Sequence, residues 1–288
     1  MISNAISIFK SKSLLLITVL LPGCNSHWQP TADTTWQWQL KGELDTTYEV
    51  DAYDVDLFDT QASTFQQLQD SGKKVICYFS AGTLEEWRED APFLKGLHIK
   101  DERNGHMDDW EGEFWLDIKD KRVWNVMSKR LDLAVIKGCD AVEPDNVDLY
   151  INRPGFTFDD QLTYNKFLAS EAHKRGLAIG LKNDLDQVEE LIDYFDFAVN
   201  EQCLEYDECE VLTLFINHNK PVFHVEYPNA KEKPEVSEHT QFPKPESMTS
   251  YLKSCRDLEQ YGFQSLLMPL HLDATFRIDC HELLANKM

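Results

Sequence analysis

The chain has 288 residues and a formal net charge of −22 at pH 7, and 42% of its residues are hydrophobic. A chain of this length and composition buries a substantial core, which excludes a disordered protein and a small disulfide-stapled peptide. The acidic balance argues against nucleic acid as a partner, because phosphate binding requires a basic surface. It suits a cationic or neutral ligand, although acidity also serves solubility alone.

Residues 1–23 have the layout of a bacterial export signal. Two lysines precede an apolar run, Ser13–Leu21, which is too short to span a bilayer as a permanent helix. Cys24 follows as in a lipobox, so we expect cleavage before Cys24 and a lipid anchor on it. The alternative is an ordinary signal peptide that leaves Cys24 as a thiol. Asn25 in the next position favours the outer membrane, and cleavage takes the net charge to −24 because it removes two lysines and no acid.

From Trp36 onward, apolar strand-like runs alternate with amphipathic helical runs. The predicted strands are Trp36–Leu40, Val50–Phe58, Lys74–Phe79, Asp140–Glu143, Ala178–Leu181, Phe197–Asn200, Val222–Val225 and Leu266–Leu270. The predicted helices are Lys121–Lys137, Thr157–Gly176, Asp186–Tyr194, Glu208–Asn217 and Glu246–Tyr261. We expect Thr157 to begin its helix with a capping box.

This alternation implies a parallel sheet, and about eight repeats over roughly 250 residues is the size of a TIM barrel. We therefore predict an α/β fold, a single (β/α)8 TIM-barrel domain over residues 36–288, preceded by a tether of residues 24–35. An open doubly wound sheet is the alternative, but the chain has no glycine-rich first turn to support it.

Carboxylates and other polar side chains follow the predicted strands. In a TIM barrel the carboxyl ends of the strands meet on the face that holds active sites, where carboxylates are partly desolvated. The candidates are Glu143, Asp145, Asp148, Glu201 and Glu226. Two carboxylates across a cleft are what glycoside hydrolysis requires. The alternatives are that these groups pair with Lys182 or Arg153, cap helices, or bind calcium at 145–148, where the spacing of an EF-hand is missing.

Aromatic residues accompany these carboxylates. Tyr78 ends the third predicted strand, and Trp87, Trp110 and Trp115 lie in the long segment that follows it. Flat rings offer apolar faces to the C–H surfaces of sugars and attract cations above the ring. Core packing is the alternative for each of them.

Six cysteines remain after residue 24, and an even number in an exported protein is compatible with disulfides. The disulfide candidates are Cys203, Cys209, Cys255 and Cys280, and the first two are near enough in sequence to close a small loop. Cys77 and Cys139 are expected to be buried neighbours, bonded or free. Because no close cysteine and histidine pairs have the spacing of a zinc site, we predict no metal, and we predict no cofactor.

Several motifs together resemble those of glycoside hydrolase family 114, in the family's order from Trp36 to Leu270. They are Lys74–Gly82, Glu86–Arg88, Gly112–Asp117, Lys137–Asp140, Glu143–Asp148, Gly180–Asn183, Asn200–Cys203, Val222–Phe223 and Glu226–Tyr227. Characterised members of that family are TIM-barrel endo-α-1,4-polygalactosaminidases, which cut a cationic galactosamine-containing exopolysaccharide. The resemblance therefore implies an endo-acting hydrolase of an amino-sugar polysaccharide.

The resemblance also implies which residues act. Asp145 and Glu201 are the expected catalytic pair, and by analogy with related barrels the mechanism is retaining, with Asp145 as nucleophile and Glu201 as acid/base. The residues expected to line the sugar pocket are Tyr78, Trp115, Asp148, Lys182, Asn183 and Glu226. Two alternatives stay open, a non-catalytic lipoprotein that binds a cationic glycan and a hydrolase of a different glycan. We expect a monomer on the outer membrane or cell surface.

Overall fold

A computed structural model describes residues 27–107, 110–228 and 245–286. The predicted export signal, residues 1–23, and the predicted lipidation site, Cys24, lie outside the described residues. Within the described ranges, no helix combines the length and the apolar character needed to cross a bilayer.

The fold is mixed α/β and is built on a sheet of nine strands. The strands within the described residues are β1 (Trp36–Gln39), β2 (Ala52–Asp56), β3 (Lys74–Ser80), β4 (Thr83–Glu85), β5 (Glu113–Trp115), β6 (Ala141–Asp145), β7 (Ala178–Lys182), β8 (Phe197–Glu201), β9 (Val222–Glu226), β10 (Gln264–Leu267) and β11 (Ile278–Asp279). The large sheet has the order β1-β2-β3-β6-β7-β8-β9-β10-β11, and its first eight strands run parallel. These eight confirm the eight predicted strands, with shifted ends.

Helices follow most of the parallel strands. They are α1 (Ala62–Asp70), α2 (Ala91–Leu94), α3 (Lys121–Lys137), α4 (Leu149–Asn152), α5 (Phe158–Lys174), α6 (Val188–Leu191), α7 (Cys203–Tyr206), α8 (Thr213–Asn217), α9 (Pro245–Glu259) and α10 (Cys280–Ala285). The two longest helices, α3 and α5, both have an N-terminal cap formed by a side chain. The Asp120 side chain accepts a hydrogen bond from the Arg122 N–H at the start of α3, and Thr157 and Asp160 form the predicted capping box of α5.

Two predicted helices are shorter in the structure than the sequence indicates. Asp186–Tyr194 becomes a 3₁₀ turn, Leu185–Gln187, followed by the single-turn α6, and Glu208–Asn217 begins with a 3₁₀ turn before α8. Helix α1 and the β4–β5 pair were not predicted. Strands of three residues are too short to show a period of two, and α1 buries only Phe65 and Leu68.

The parallel strands carry two apolar clusters, one on each face of the sheet. Alternate residues of a strand point to opposite faces, so Val75, Cys77 and Phe79 of β3 pack in the larger cluster with helix residues. Ile76 belongs to the second cluster, which includes Trp36, Trp38, Phe197 and Phe223. Gly180 makes room there, because a Cβ at this position would lie 2.3 Å from a ring carbon of Phe197.

Disulfides join three pairs of cysteines in the described residues. They are Cys77–Cys139, Cys203–Cys209 and Cys255–Cys280. The first links β3 to the residue two positions before β6, and the second closes the small loop that carries α7. In the third, the partners lie in α9 and at the start of α10, so this disulfide fastens the C-terminal helix.

The described part of the predicted tether lies against the folded domain. His27 Nε2 is 2.9 Å from Asp196 Oδ1, and Trp28 packs on the second apolar cluster. Residues 27–35 therefore contact the domain that follows them.

Candidate active site

Four ionisable side chains share one face of the sheet at the carboxyl ends of three neighbouring strands. Glu143 and Asp145 are two residues apart on β6, Lys182 ends β7, and Glu201 ends β8. The period of two along each strand places them on the face that carries the second apolar cluster. The sheet order therefore brings together carboxylates that are 56 residues apart in sequence.

The ammonium group of Lys182 lies among three of these carboxylates. Its Nζ is 3.2 Å from Glu143 Oε1, 3.1 Å from Asp145 Oδ1 and 3.0 Å from Glu201 Oε2. Only 3% of the lysine side chain is exposed. Burial alone lowers the pKa of a lysine, but the charges of Asp145, Glu201 and Glu143 hold the pKa of Lys182 well above its usual value. The lysine is a fixed positive charge.

The Asp145 carboxylate accepts hydrogen bonds from three donors. The Tyr78 hydroxyl donates to Oδ2 at 2.9 Å, and Oδ1 accepts from Lys182 Nζ and from the Asn146 backbone N–H at 2.8 Å. These contacts fix the direction in which the carboxylate faces. Burial raises the pKa of Tyr78 well above its usual value, and the nearby Asp145 charge adds to this, so the phenol stays a donor.

Glu201 has its own donors on the other side of Lys182. The Tyr227 hydroxyl donates to Oε1 at 2.5 Å, while Oε2 accepts from Lys182 and, at 3.4 Å, from the Asn183 side-chain amide. Asn183 Oδ1 in turn accepts from the Glu201 backbone N–H at 3.0 Å and from Asn200 at 3.2 Å. Asn183 therefore positions both the backbone and the carboxylate of Glu201.

A second acidic pair lies deeper, on the buried side of Lys182. Asp54 and Glu143 are both fully buried and interact electrostatically, and none of their four carboxyl oxygens has a hydrogen-bond donor among the described residues. Burial raises the pKa of Asp54 well above its usual value, and the Glu143 charge adds to this. Burial also raises the pKa of Glu143 to about 7, opposed by Lys182. Two buried carboxyls in contact are expected to share one proton, which limits the negative charge beneath the site.

Asp145, Lys182 and Glu201 line a cavity of about 920 Å³. Of its lining residues in the described part of the chain, seven are acidic and two are lysines. The acidic ones are Glu111, Glu113, Asp145, Asp148, Glu201, Glu205 and Glu208. Such a lining attracts cations and disfavours anions.

The loops that follow three of the strands begin with an unusual backbone conformation. Positive φ angles of 60°, 49° and 62° occur at Asn146, Asn183 and Gln202, each of which comes directly after a strand. Non-glycine residues rarely adopt this conformation, and it concentrates at functional sites. Gly82 allows the loop after β3 to touch the loop after β6, since a Cβ there would lie 1.7 Å from the Asn146 carbonyl oxygen.

The cavity contains most of the residues proposed from the sequence. Tyr78, Trp115, Asp145, Asp148, Lys182, Asn183 and Glu201 all line it. Burial raises the pKa of Asp148 to about 6, with a contribution from the Asp145 charge. Trp110 also lines the cavity and is 38% exposed, whereas Trp87 is 55% exposed outside it.

Glu226 is the exception among the predicted site residues. Although it lies in the described part of the chain, it does not line the cavity, and its Oε1 accepts from the Leu204 backbone N–H at 2.8 Å and from His224 Nε2 at 3.0 Å. The period of two explains this, because Phe223, Val225 and Tyr227 belong to the second apolar cluster and Glu226 points to the other face of the sheet. Glu226 instead anchors the start of α7.

Three functional candidates escaped the sequence reasoning. The sequence-based prediction selects Glu226 instead of the adjacent Tyr227. The alternation along β9 is the signal that identifies Tyr227, because it places this residue on the same face of the sheet as Phe223 and Val225. Asp54 sits inside an apolar strand run with Trp38 beside it in register, so only the sheet order connects it to Glu143. Glu113 belongs to β5, outside the parallel strands, and no periodic pattern marks it.

Two groups of described residues combine metal-ligand types, away from the cavity. Cys203, Cys209 and His224 lie close together, but the two sulfur atoms are bonded to each other. His27, His173 and Asp196 form the other group, in which the imidazole rings stack 4.2 Å apart and within 10° of parallel. Lone pairs in two parallel ring planes do not converge on one ion, so this arrangement fits hydrogen bonds to Asp196 better than a metal.

Comparison with known proteins agrees with this geometry. The model of glycoside-hydrolase family GH114 matches residues 21–280. The crystal structure of Aspergillus fumigatus Ega3 in complex with galactosamine is 38% identical over 88% of this chain and 98% of that one, with a TM-score of 0.79. No curated protein matches the chain.

More distant solved structures share the fold. The glycoside hydrolase domain of PelA from Pseudomonas aeruginosa is 13% identical, with a TM-score of 0.62 over 85% of this chain and 98% of that one. The α-galactosidase TtGalA from Thermus thermophilus is 11% identical, with a TM-score of 0.53 over 90% of this chain and 68% of that one. The family match spans nearly the whole chain and includes every residue around Lys182, so the protein is a glycoside hydrolase and belongs to family 114.

Proposed function

We propose that the parallel sheet closes into a (β/α)8 TIM barrel. The Trp36 indole N–H donates to the Gln264 carbonyl at 2.9 Å, which joins β1 to β10. At the other end of these strands, the backbone N–H groups of Leu40 and Lys41 donate to the Leu272 carbonyl at 3.0 and 3.2 Å. These contacts link the first and eighth parallel strands and support closure.

The proposed reaction is endo-cleavage of an α-1,4-linked, galactosamine-containing polysaccharide. The observation that carries it is the Asp145–Lys182–Glu201 bridge at the centre of an acidic cavity. A deacetylated galactosamine polymer bears an ammonium group on each sugar, which matches this lining in charge. The relative from Aspergillus fumigatus, which binds galactosamine in its crystal structure, supports the same class of sugar.

We propose a retaining mechanism in which Asp145 attacks the anomeric carbon and Glu201 protonates the leaving oxygen. The two oxygens that contact Lys182 Nζ lie no more than about 6 Å apart, which is below the roughly 6.5–9.5 Å separation of the carboxyl groups in inverting glycosidases. Attack forms a bond between Asp145 and the anomeric carbon and breaks the glycosidic bond. Glu201 then takes a proton from the water that hydrolyses this intermediate.

Lys182 helps both steps by electrostatics. Its ammonium group faces the Asp145 carboxylate before attack and offsets the negative charge that develops on Glu201 as that residue gives up its proton, and Tyr78 and Tyr227 keep the two side chains in place. Preorganised charges of this kind cost no reorganisation during the reaction.

A binding protein without activity is the alternative from a different class, and a hydrolase of another glycan is the alternative within the class. The paired carboxylates favour an enzyme, because a binding surface has no need of two acids with separate tyrosine donors. We further propose that the protein is an exported monomer, anchored through a lipid on Cys24 at the outer membrane or cell surface.

The test is activity on a panel of polysaccharides with two isosteric variants. Asp145→Asn and Glu201→Gln should each lose cleavage of partly deacetylated α-1,4-galactosamine polymer while keeping the melting temperature of the unmodified enzyme. Binding without cleavage by the unmodified enzyme favours the binding protein. Cleavage of a different polymer alone favours the other glycan.

A further inference from the structure

A buried carboxyl group, Glu113, also lines the cavity, and neither the reaction above nor the sequence motifs assign it a role. The residue is only 8% exposed. The Thr83 hydroxyl donates to Oε2 at 2.9 Å, and Thr83 contacts Ser80, which accepts from the Asn146 side chain. This chain of hydrogen bonds ties Glu113 to the loop that follows Asp145.

The charge around Glu113 is unbalanced. In the β4–β5 pair, Glu113 stands directly opposite Glu85, and like charges in this register destabilise each other. Glu85 is compensated, because Arg88 lies 2.8 Å from its Oε1 and Arg130 3.8 Å from its Oε2. Among the described residues, no lysine, arginine or histidine lies at ion-pair distance from Glu113.

Burial and neighbouring charges disfavour the ionised form of Glu113. The groups that act on Glu113 are Tyr78 from β3, Thr83 and Glu85 from β4, Arg88 after β4 and Asp145 from β6, and the Arg88 charge partly opposes the repulsion from the two carboxylates. Burial raises the pKa of Glu113 to about 7, and the Glu85 and Asp145 charges contribute. A cation brought into the cavity at this point relieves that repulsion and ionises the carboxyl.

From this geometry we propose that Glu113 is a specificity-determining residue, which binds the protonated amino group of a substrate sugar on the Asp145 side of the cleft. The inference rests on the proposed function, and it assigns the preference for deacetylated sugar to one side chain. An acetamido group at the same place has no charge and leaves Glu113 without a counter-ion. Binding of an ammonium group below pH 7 releases the carboxyl proton to the buffer.

Binding is best measured in the Glu201→Gln background, where cleavage is slowed. Isothermal titration calorimetry at pH 6, in two buffers of different ionisation enthalpy, gives the affinity and the number of protons released for an α-1,4-galactosamine tetramer and its fully N-acetylated counterpart. The test variant adds Glu113→Gln to this background. Its side-chain amide oxygen can still accept the hydrogen bond from the Thr83 hydroxyl, so only the charge is removed. Glu86→Gln, at an exposed position next to β4 and outside the cavity, is the matched control.

Glu113→Gln should weaken binding of the deacetylated tetramer about tenfold to a hundredfold, as expected for a hydrogen bond to a charged group. It should change binding of the acetylated tetramer less than threefold and reduce proton release, and Glu86→Gln should change none of these. Equal weakening of both tetramers, or unchanged proton release, overturns the proposal. Glu113→Asp, which keeps the charge, should retain part of the preference.

The same tetramer separates this inference from the proposed function. If the unmodified enzyme cleaves the tetramer and Glu113→Gln keeps the full preference for deacetylated sugar, the role of Glu113 is rejected and the proposed function stands. If the unmodified enzyme neither binds nor cleaves the tetramer, the role of Glu113 and the proposed function are both rejected.

Discussion

The Nζ atom of Lys182 lies between Asp145 and Glu201, 3.1 Å from Oδ1 of the first and 3.0 Å from Oε2 of the second. One buried cation therefore sets the spacing and the charge of both carboxylates. Without it, the two acids and the Asp54–Glu143 pair behind them would repel each other in a poorly solvated place.

Removal of this cation should abolish most of the activity. Lys182→Met should lower kcat by about 10²–10³, the loss typical of removing one preorganised electrostatic contact. Lys182→Arg should not restore it, because a planar guanidinium does not fit between three carboxylates as a point charge does. Initial rates on galactosamine polymer measure the effect, with the exposed Lys174→Met as control. A kcat within threefold of the unmodified enzyme contradicts the role of Lys182.

The two carboxylates should differ in their response to azide. With an activated aryl α-galactosaminide oligomer, Glu201→Ala should give the α-glycosyl azide, because azide replaces water in attacking the intermediate on Asp145. Asp145→Gly should give the β-azide, because azide then attacks in place of the carboxylate. Nuclear magnetic resonance of the products assigns the anomers. The opposite pattern exchanges the two roles, and β-azide from both variants rejects a retaining mechanism.

Much of this fold follows from local sequence patterns. Lys121–Lys137 has apolar residues at helical spacing, a capping aspartate before it and Gly138 after it, so every local signal agrees. The eight parallel strands are short apolar runs that end in polar residues, which also predicts that Asp145, Lys182 and Glu201 meet at one edge. The direction of each side chain is less secure, as Glu226 and Tyr227 demonstrate, because an offset of one residue moves a side chain to the other face.

Other features depend on contacts between distant segments. Glu113 enters the cavity because the three-residue strand β5 pairs with β4, nearly 30 residues earlier, and no local pattern encodes that pairing. The Asp54–Glu143 contact likewise needs the register of β2, β3 and β6. Only the assembled sheet shows these partners.

The disulfides should contribute unequally to stability. Loop-closure entropy grows with the length of the loop, and Cys77–Cys139 spans 62 residues whereas Cys203–Cys209 spans 6. Replacing both cysteines by alanine should lower the free energy of unfolding by about 4 kcal/mol for the first pair and about 2 kcal/mol for the second. Urea unfolding of the two double variants measures this. A larger loss for the short loop contradicts the prediction.

The buried Asp184 should make the protein less stable as the pH rises. Asp184 is 1% exposed, Asn165 donates to its Oδ2 at 2.7 Å, and burial raises its pKa to about 9. The folded state keeps this proton up to about pH 9, while the unfolded chain releases it near pH 4, so the free energy of unfolding falls between these values.

Asp184→Asn should therefore flatten the decline in stability between pH 5 and pH 8, by up to about 1.4 kcal/mol per pH unit. The control is Asp207→Asn, an exposed aspartate that also has a positive φ. Urea titrations at four pH values compare the slopes. Parallel slopes for Asp184→Asn and the unmodified protein contradict the account of this residue.

Product analysis of a defined α-1,4-galactosamine octamer by mass spectrometry tests the central claim most directly. The account predicts internal cleavage, with several shorter oligomers from the first minutes of digestion, and no products from Asp145→Asn. An octamer that stays intact from pH 4 to pH 8 in the presence of folded enzyme contradicts the proposed substrate. Release of single sugars from one end alone contradicts endo-cleavage.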